Sequence, residues 1–263
     1  MTASGETSAM PEPRARVLIT GGSGGIGSAL VATMAAAGYD VLFTFNKSAD
    51  AARRLTDETQ RQDGQEITST HIDFTDREAV EVFADELAAS QPLYGLIYNA
   101  GASYDILSPL IEQSRAEDLM QLNYWAMTRL VSATVRPMLK ARKGRIIGIS
   151  SGAAIRGIPG NAAYAGTKGA MASYVRTLAV EVARKGVTAN CIIPGFVDTD
   201  LLAPYAKHHD IMEKQIPAGR FAKPMEIATL ARFLLTPEAD YLTGSLLPID
   251  GGLGAAIAVQ RYT

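Results

Sequence analysis

Seven short runs of apolar or β-branched residues alternate strictly with longer stretches whose apolar residues recur at helical spacing. The short runs are Arg16 to Thr20, Asp40 to Phe45, Ile67 to Ile72, Tyr94 to Tyr98, Arg145 to Ser150, Val187 to Ile193 and Leu246 to Ile249. Between them lie Ile26 to Ala37, Ala49 to Gln62, Arg77 to Ala89, Ala116 to Ala141, Ala163 to Lys185 and Met225 to Leu235. A strand that is apolar along its whole length is buried on both faces, as in a parallel sheet. Strand and helix in strict alternation then put helices on both sides of that sheet. The pattern predicts an α/β, doubly wound sandwich with a seven-stranded parallel sheet. Gly38, Gly144 and Gly186 fall just past three of the helices, where a left-handed C-terminal cap favours glycine.

At 263 residues the chain suits one domain. The stretch 1–14 has no apolar periodicity and reads as a flexible tail, leaving 15–263 as the folded unit. With 47% hydrophobic residues, 20% charged and a net charge of −2, the composition is that of an ordinary globular protein and has no nucleic-acid bias. No apolar run reaches the roughly eighteen residues of a membrane span, and no basic-then-apolar leader is present, so a cytoplasmic location is expected. The single cysteine, Cys191, sits in an apolar run and reads as a buried thiol. His71, His208 and His209 lack partners at ligand spacing, and no metal is expected. The proline-containing stretch Phe196 to Pro224 breaks the rhythm and is expected to be a long lid loop.

Thr20-Gly21-Gly22-Ser23-Gly24-Gly25-Ile26-Gly27 follows the first strand and opens the first helix. In that setting bare backbone can approach a pyrophosphate and the helix N-terminus offers free N–H groups, so Gly21, Ser23, Gly24, Gly25, Ile26 and Gly27 are candidate dinucleotide contacts in a Rossmann-type fold. An acidic residue at the end of the second strand would bind the ribose of NAD; that place holds Phe45, followed by Asn46 and Lys47. A polar group and a cation accept a 2′-phosphate, which favours NADP(H), with Arg53 or Arg54 as further cations.

Tyr164 and Lys168 stand four apart near the start of a helix, so both project from one face. A nearby ammonium lowers a phenol's pKa towards the working range of an acid-base catalyst. Ser151 ends the fifth strand at the carboxyl edge of the sheet, where doubly wound folds bind ligands, and its hydroxyl can hold a carbonyl oxygen. Ser150 alternates to the other side and is its structural twin.

These residues together resemble the short-chain dehydrogenase/reductase family from about Arg16 to Gly252, with Asn99-Ala100-Gly101, Pro194-Gly195 and Asp250-Gly251-Gly252 also in place. The resemblance implies a catalytic set of Asn123, Ser151, Tyr164 and Lys168: Tyr164 the proton donor in reduction, Ser151 orienting the carbonyl, Lys168 also binding the nicotinamide ribose, and Asn123 holding a relay water. It further implies cofactor contacts at Asp73, Phe74, Asn99, Ala100, Gly101, Pro194, Gly195, Val197 and Thr199. Many NADP-binding relatives carry arginine where this chain has Gly24.

Within that family the stretches Gly144 to Ile147, Pro194 to Asp200 and Ile216 to Phe221 are most similar to 3-oxoacyl-acyl-carrier-protein reductases of fatty-acid and polyketide synthesis. The resemblance implies an acyl carrier protein as partner, docked by Arg142 and Lys185 at the active-site mouth, and a tetramer built on the two long helices. Basic residues at helix C-termini are equally favoured by the helix dipole. Expected substrate walls run from Asn161 to Tyr164 and from Ala102 to Leu110, with Tyr104 and the lid residues Phe196, Leu201, Leu202 and Tyr205 offering apolar surface. Apolar walls would also take a steroid, a terpene or an aromatic polyketide. A dehydrogenase of a free alcohol, sugar or steroid and a non-catalytic nucleotide sensor are the other readings.

Overall fold

The structure, a computed structural model, describes residues 14–256 apart from 201 and 203–206. The chain runs β1 (Arg16–Ile19), α1 (Gly25–Ala36), β2 (Asp40–Phe45), α2 (Ala49–Glu58), β3 (Ile67–His71), α3 (Arg77–Ala89), β4 (Gly95–Tyr98), α4 (Gln113–Met120), α5 (Ala126–Ala141), β5 (Gly144–Ile149), α6 (Ala162–Val182), β6 (Val187–Pro194), α7 (His209–Gln215), α8 (Pro224–Leu235) and β7 (Leu246–Ile249). The strands form one sheet in the order β3-β2-β1-β4-β5-β6-β7. Every pairing is parallel. All seven strands therefore begin at one edge and end at the other, and the order reverses between β1 and β4, the crevice where such sheets bind ligands.

Alternation of side chains along the strands gives the sheet two apolar faces. Leu18, Leu96 and Ile146 pack under α3, α5 and α6 through Phe83, Leu130 and Val175. Val17, Ile19 and Ile97 pack under α1, α2 and α8 through Leu30, Ala52 and Ala231. Local signals start the helices: the Asp76 carboxylate accepts from the amides of Glu78 and Ala79 at the head of α3, and Pro224 opens α8.

Three expectations change. The long helix expected over 116–141 starts at Gln113 and is interrupted by a π-helical turn, Gln121–Trp125, between α4 and α5. The left-handed residue after α5 is Arg142, at φ 53°, whereas Gly144 already belongs to β5 and needs its missing side chain because a Cβ there would lie 2.6 Å from Met138 Cβ. Gly38 and Gly186 do adopt the left-handed caps. The expected loop 196–224 contains α7. The stretch 1–13, most of the expected tail, and the lid residues Leu201 and Tyr205 lie outside the described residues.

Candidate active site

Buried Thr20 ties the first turn to the loop after β4, its hydroxyl accepting from the amides of Asn99 and Ala100 at 2.9 Å each. The Asn99 amide group donates back to the carbonyls of Thr20 and Gly21, both at 3.1 Å. Bare backbone is required here. A Cβ on Gly27 would sit 2.0 Å from the Gly21 carbonyl oxygen, and one on Gly25 would sit 2.5 Å from the Thr199 methyl. Thr199 is thereby seated against the head of α1, which brings the segment after β6 across the crevice to the glycine-rich turn. Gly24 and Gly25 are exposed at that helix end, Ser23 and Ile26 half-buried beside them.

At the end of β2, Asn46 and Lys47 are exposed. Asp73 faces them: the Thr75 backbone amide first, then the Thr75 hydroxyl, the Asn46 side chain and the Lys47 charge hold its carboxyl below the usual range. Arg53 and Arg54 are exposed on α2. The Phe74 ring is buried against Tyr98 in the core, so only its backbone is placed to meet a ligand.

The four expected catalytic residues meet at the carboxyl edge. Ser151, which also accepts from the Ala153 amide at 3.2 Å, is hydrogen-bonded to the Tyr164 hydroxyl. Lys168, almost fully buried, donates to the Ile149 carbonyl at 2.9 Å and lies 5.8 Å from the centre of the Tyr164 ring. Ser150 turns away to the Lys168 carbonyl, as a structural twin should. Asn123, on the π-helical turn, donates to the Ala102 carbonyl at 3.0 Å and to the Thr167 hydroxyl at 2.9 Å, and accepts from the Ala102 amide at 3.1 Å. A Cβ on Gly101 would come within 3.0 Å of Asn123 Oδ1 and 3.2 Å of Lys168 Nζ, so glycine keeps a slot open between them. Bare backbone, an exposed helix N-terminus and this slot fit a dinucleotide.

The electrostatics differ from the expectation of a phenol lowered by an ammonium. Burial pushes the Tyr164 phenol up, partly offset by the Ser151 hydrogen bond, with the Asp105 carboxylate raising it further. Lys168 is itself pushed down to about 8 by burial. Both groups are taken out of water together, and burial is the largest cause of each shift.

On the substrate side, the Asn161 amide donates to Asp105 and the Ile106 amide donates to the Gly160 carbonyl at 2.7 Å, tying the loops after β4 and β5 together. These loops carry exposed apolar surface: Leu107 and Leu110 within the expected wall 102–110, and Ile155 and Ile158, which were not expected there. Tyr104, expected as a wall, is buried: its hydroxyl accepts from the Glu112 amide at 3.2 Å and Arg115 lies over its ring, because the loop folds over it. Half-buried Phe196 packs on Phe221, and Leu202 is also half-buried. Buried Val197 pairs with Ala222 as an isolated bridge, and Gly195, just after buried Pro194 at the end of β6, donates to the Ile249 carbonyl of neighbouring β7 at 3.1 Å.

Arg142 and Lys185 are not at this mouth. They precede β5 and β6, and parallel strands carry the chain from them to the opposite edge before Ser151 and Pro194 are reached. Both are exposed, and the Arg142 guanidinium donates to the Arg184 carbonyl at 3.0 Å. Among the described residues no cluster of three His, Cys, Asp or Glu side chains could hold a metal, and no helix is long and apolar enough to cross a membrane.

Residues 21–254 match the family model described as Enoyl-(Acyl carrier protein) reductase, and the chain belongs to the short-chain dehydrogenase/reductase family. It is similar to the 3-oxoacyl-[acyl-carrier-protein] reductase FabG of Escherichia coli K12, at 34% identity over 241 residues, covering 90% of this chain and 96% of the relative. It is also 33% identical to the oxidoreductase YmfI of Bacillus subtilis over 239 residues, 89% and 97% of the two chains. A solved protein from Beutenbergia cavernae named for NAD(P)-dependent gluconate 5-dehydrogenase, with bound NADP, superimposes with a TM-score of 0.85 at 30% identity, covering 92% of this chain and 97% of that one.

Proposed function

We propose that the protein is an NADPH-dependent ketoreductase that converts a 3-oxoacyl thioester to the secondary alcohol. The observation that carries this reading is the Ser151–Tyr164 hydroxyl pair standing beside buried Lys168 and Asn123, across the slot left by Gly101. The glycine-rich turn, Asn99 to Gly101 and Thr199 would hold the dinucleotide, with Lys47 meeting the 2′-phosphate. When bound, the reduced nicotinamide supplies the hydride.

The remaining chemistry belongs to the chain. Ser151 donates to the carbonyl oxygen and fixes it beside Tyr164. The raised pKa of Tyr164 keeps its proton in place at neutral pH, so the phenol is loaded as the acid that reduction needs. Lys168 orients the ribose and supports the phenolate left after proton transfer, and Asn123 holds the water that returns the proton. The relatives named 3-oxoacyl-[acyl-carrier-protein] reductases and the exposed Leu107, Leu110, Ile155 and Ile158 support an apolar acyl substrate. A carrier protein held by Arg142 and Lys185 would deliver its acyl chain to a neighbouring copy of the protein, since within one chain they stand at the far edge from Tyr164.

The test is oxidation of NADPH against a carrier-bound 3-oxoacyl thioester and a small free 3-oxo ester, with Tyr164→Phe alongside. Tyr164→Phe should lower kcat at least about a hundredfold on both. An unchanged rate in that variant overturns the reading. Turnover of only sugars or simple alcohols overturns the substrate class and leaves the proton donor standing.

A further inference from the structure

Tyr98 ends β4, immediately before Asn99-Ala100-Gly101, and is fully buried. A phenol hydroxyl in such a place needs a partner, and it donates to the main-chain carbonyl of Leu122. That carbonyl belongs to the π-helical turn that carries Asn123. The turn explains why a side chain is needed there. The Ala126 amide reaches back five residues to the Gln121 carbonyl, whereas α5 returns to four-residue spacing. A helix that changes spacing leaves one carbonyl without a helical amide, and buried carbonyls are not left unpaired.

Two attachments therefore fix the turn to the end of β4. Tyr98 holds Leu122 through the backbone, and four residues later in the loop Ala102 holds Asn123 through both its amide and its carbonyl. Thr167, next to Lys168 on α6, binds the same Asn123 side chain from the other side. Burial raises the Tyr98 phenol so far that it stays protonated and remains a donor throughout the working pH range.

We infer that Tyr98 is a positioning residue: its hydroxyl pins the π-helical turn so that the Asn123 carboxamide faces the slot beside Lys168. This rests on the proposed reduction, because Asn123 is where the positioning would matter. Tyr98 touches neither substrate nor cofactor and acts through Asn123.

The test pairs Tyr98→Phe with Asn123→Ala and the double variant. Tyr98→Phe removes one oxygen and keeps the ring. It should lower kcat roughly tenfold, with KM for NADPH and for the ketone moved less than about twofold. In the Asn123→Ala background the same change should cost less than about twofold more, because the residue it acts through is gone. Val182→Ala, a core change at the other end of α6, serves as a stability control and should keep kcat at a comparable loss of Tm. Additive losses in the double variant, or a kcat that follows Tm across the Tyr98 and Val182 variants, would overturn the inference.

Hydrogen exchange supplies a readout free of turnover. Tyr98→Phe should speed exchange of the Ala102 amide, which is bonded to Asn123, by about tenfold while the amides late in α5 stay protected. An unchanged Ala102 amide also overturns the inference. If the wild-type enzyme reduces no ketone, the proposed function fails and this measurement still decides the positioning. Should Tyr98→Phe fold only when NADPH is present, rates and exchange are read at saturating NADPH. If it does not fold even then, Tyr98→Met, which fills the core without a donor, takes its place under the same criteria.

Discussion

Lys168 and Arg145 are the buried cations among the described residues, and they lie at opposite edges of one sheet. Arg145, at the start of β5, is paired with Asp240, donates to the carbonyls of Gly144 at 3.1 Å and Thr236 at 3.4 Å, and lies over the Tyr94 ring. Its Nε is the buried side-chain atom left without a partner among the described residues. Lys168, on α6 against the end of β5, has one carbonyl and, among the described residues, no carboxylate, and burial depresses its pKa to about 8. A buried charge surrounded by partners is a structural fixture, whereas one left nearly alone in a crevice is held ready for something else. The amino edge is therefore the stabilising edge and the carboxyl edge the reacting one.

The two cations can be removed separately to break that contrast. Lys168→Met should lower kcat for ketone reduction by about two to three orders of magnitude while the protein stays folded. Arg145→Met should keep kcat within a few-fold and lose roughly 2–3 kcal/mol of stability, below the cost for a fully buried pair because Asp240, at 66% exposure, can hydrate when left alone. Thermal denaturation and initial rates on both variants read the two outcomes. A stable but inactive Arg145→Met would place function at the wrong edge.

A smaller effect follows from pH. The folded pKa of Lys168, about 8, lies below its ordinary 10.5, so the fold favours the neutral amine. The burial penalty is complete below about pH 8 and is relieved as pH rises from there through 10.5. Urea denaturation at pH 7 and pH 10 should show the wild type gaining on Lys168→Met by on the order of 2–3 kcal/mol; Tyr164 is present in both and drops out of the difference. A constant difference between the two proteins would mean that Lys168 titrates normally and that the contrast with Arg145 is only one of hydrogen bonding.

The sequence carried the alternation that builds the sheet because parallel strands buried on both faces leave uninterrupted apolar runs, such as Val187 to Ile193. It also carried Ser151, Tyr164 and Lys168, since their spacing is fixed by one strand end and one helix face. The π-helical turn was hidden: one extra residue in a turn barely disturbs apolar periodicity, and Leu119, Asn123 and Met127 are all buried across it. Short α7 has charged residues and no apolar repeat to reveal it. The left-handed Arg142 was missed because glycine two residues later offered a cheaper candidate. The edge at which Arg142 and Lys185 stand was legible all along. Each lies two residues before a parallel strand, and the strand direction alone sends it away from Ser151.

An exposed cation is the third case, and it should yield the smallest effect. Gly24 is the N-cap of α1 with an ordinary φ of −87°, and a Cβ placed on it would meet nothing nearer than the Gly21 carbonyl oxygen at 3.7 Å. Unlike Gly25 and Gly27, it can take a side chain without strain. Gly24→Arg adds a guanidinium at the exposed head of α1, where it can meet the proposed 2′-phosphate together with Lys47. Exposed charges contribute up to about 1 kcal/mol, which is about fivefold in affinity. The ratio of kcat/KM for NADPH to that for NADH should therefore rise by about that factor in Gly24→Arg and fall similarly in Lys47→Ala. Both shifts should fade at high salt, because exposed charges are screened more than the half-buried pair at Arg145. An equal gain for NADH and NADPH would mean that the new cation meets the pyrophosphate, and the selectivity assigned to Lys47 would then have to come from elsewhere at the end of β2.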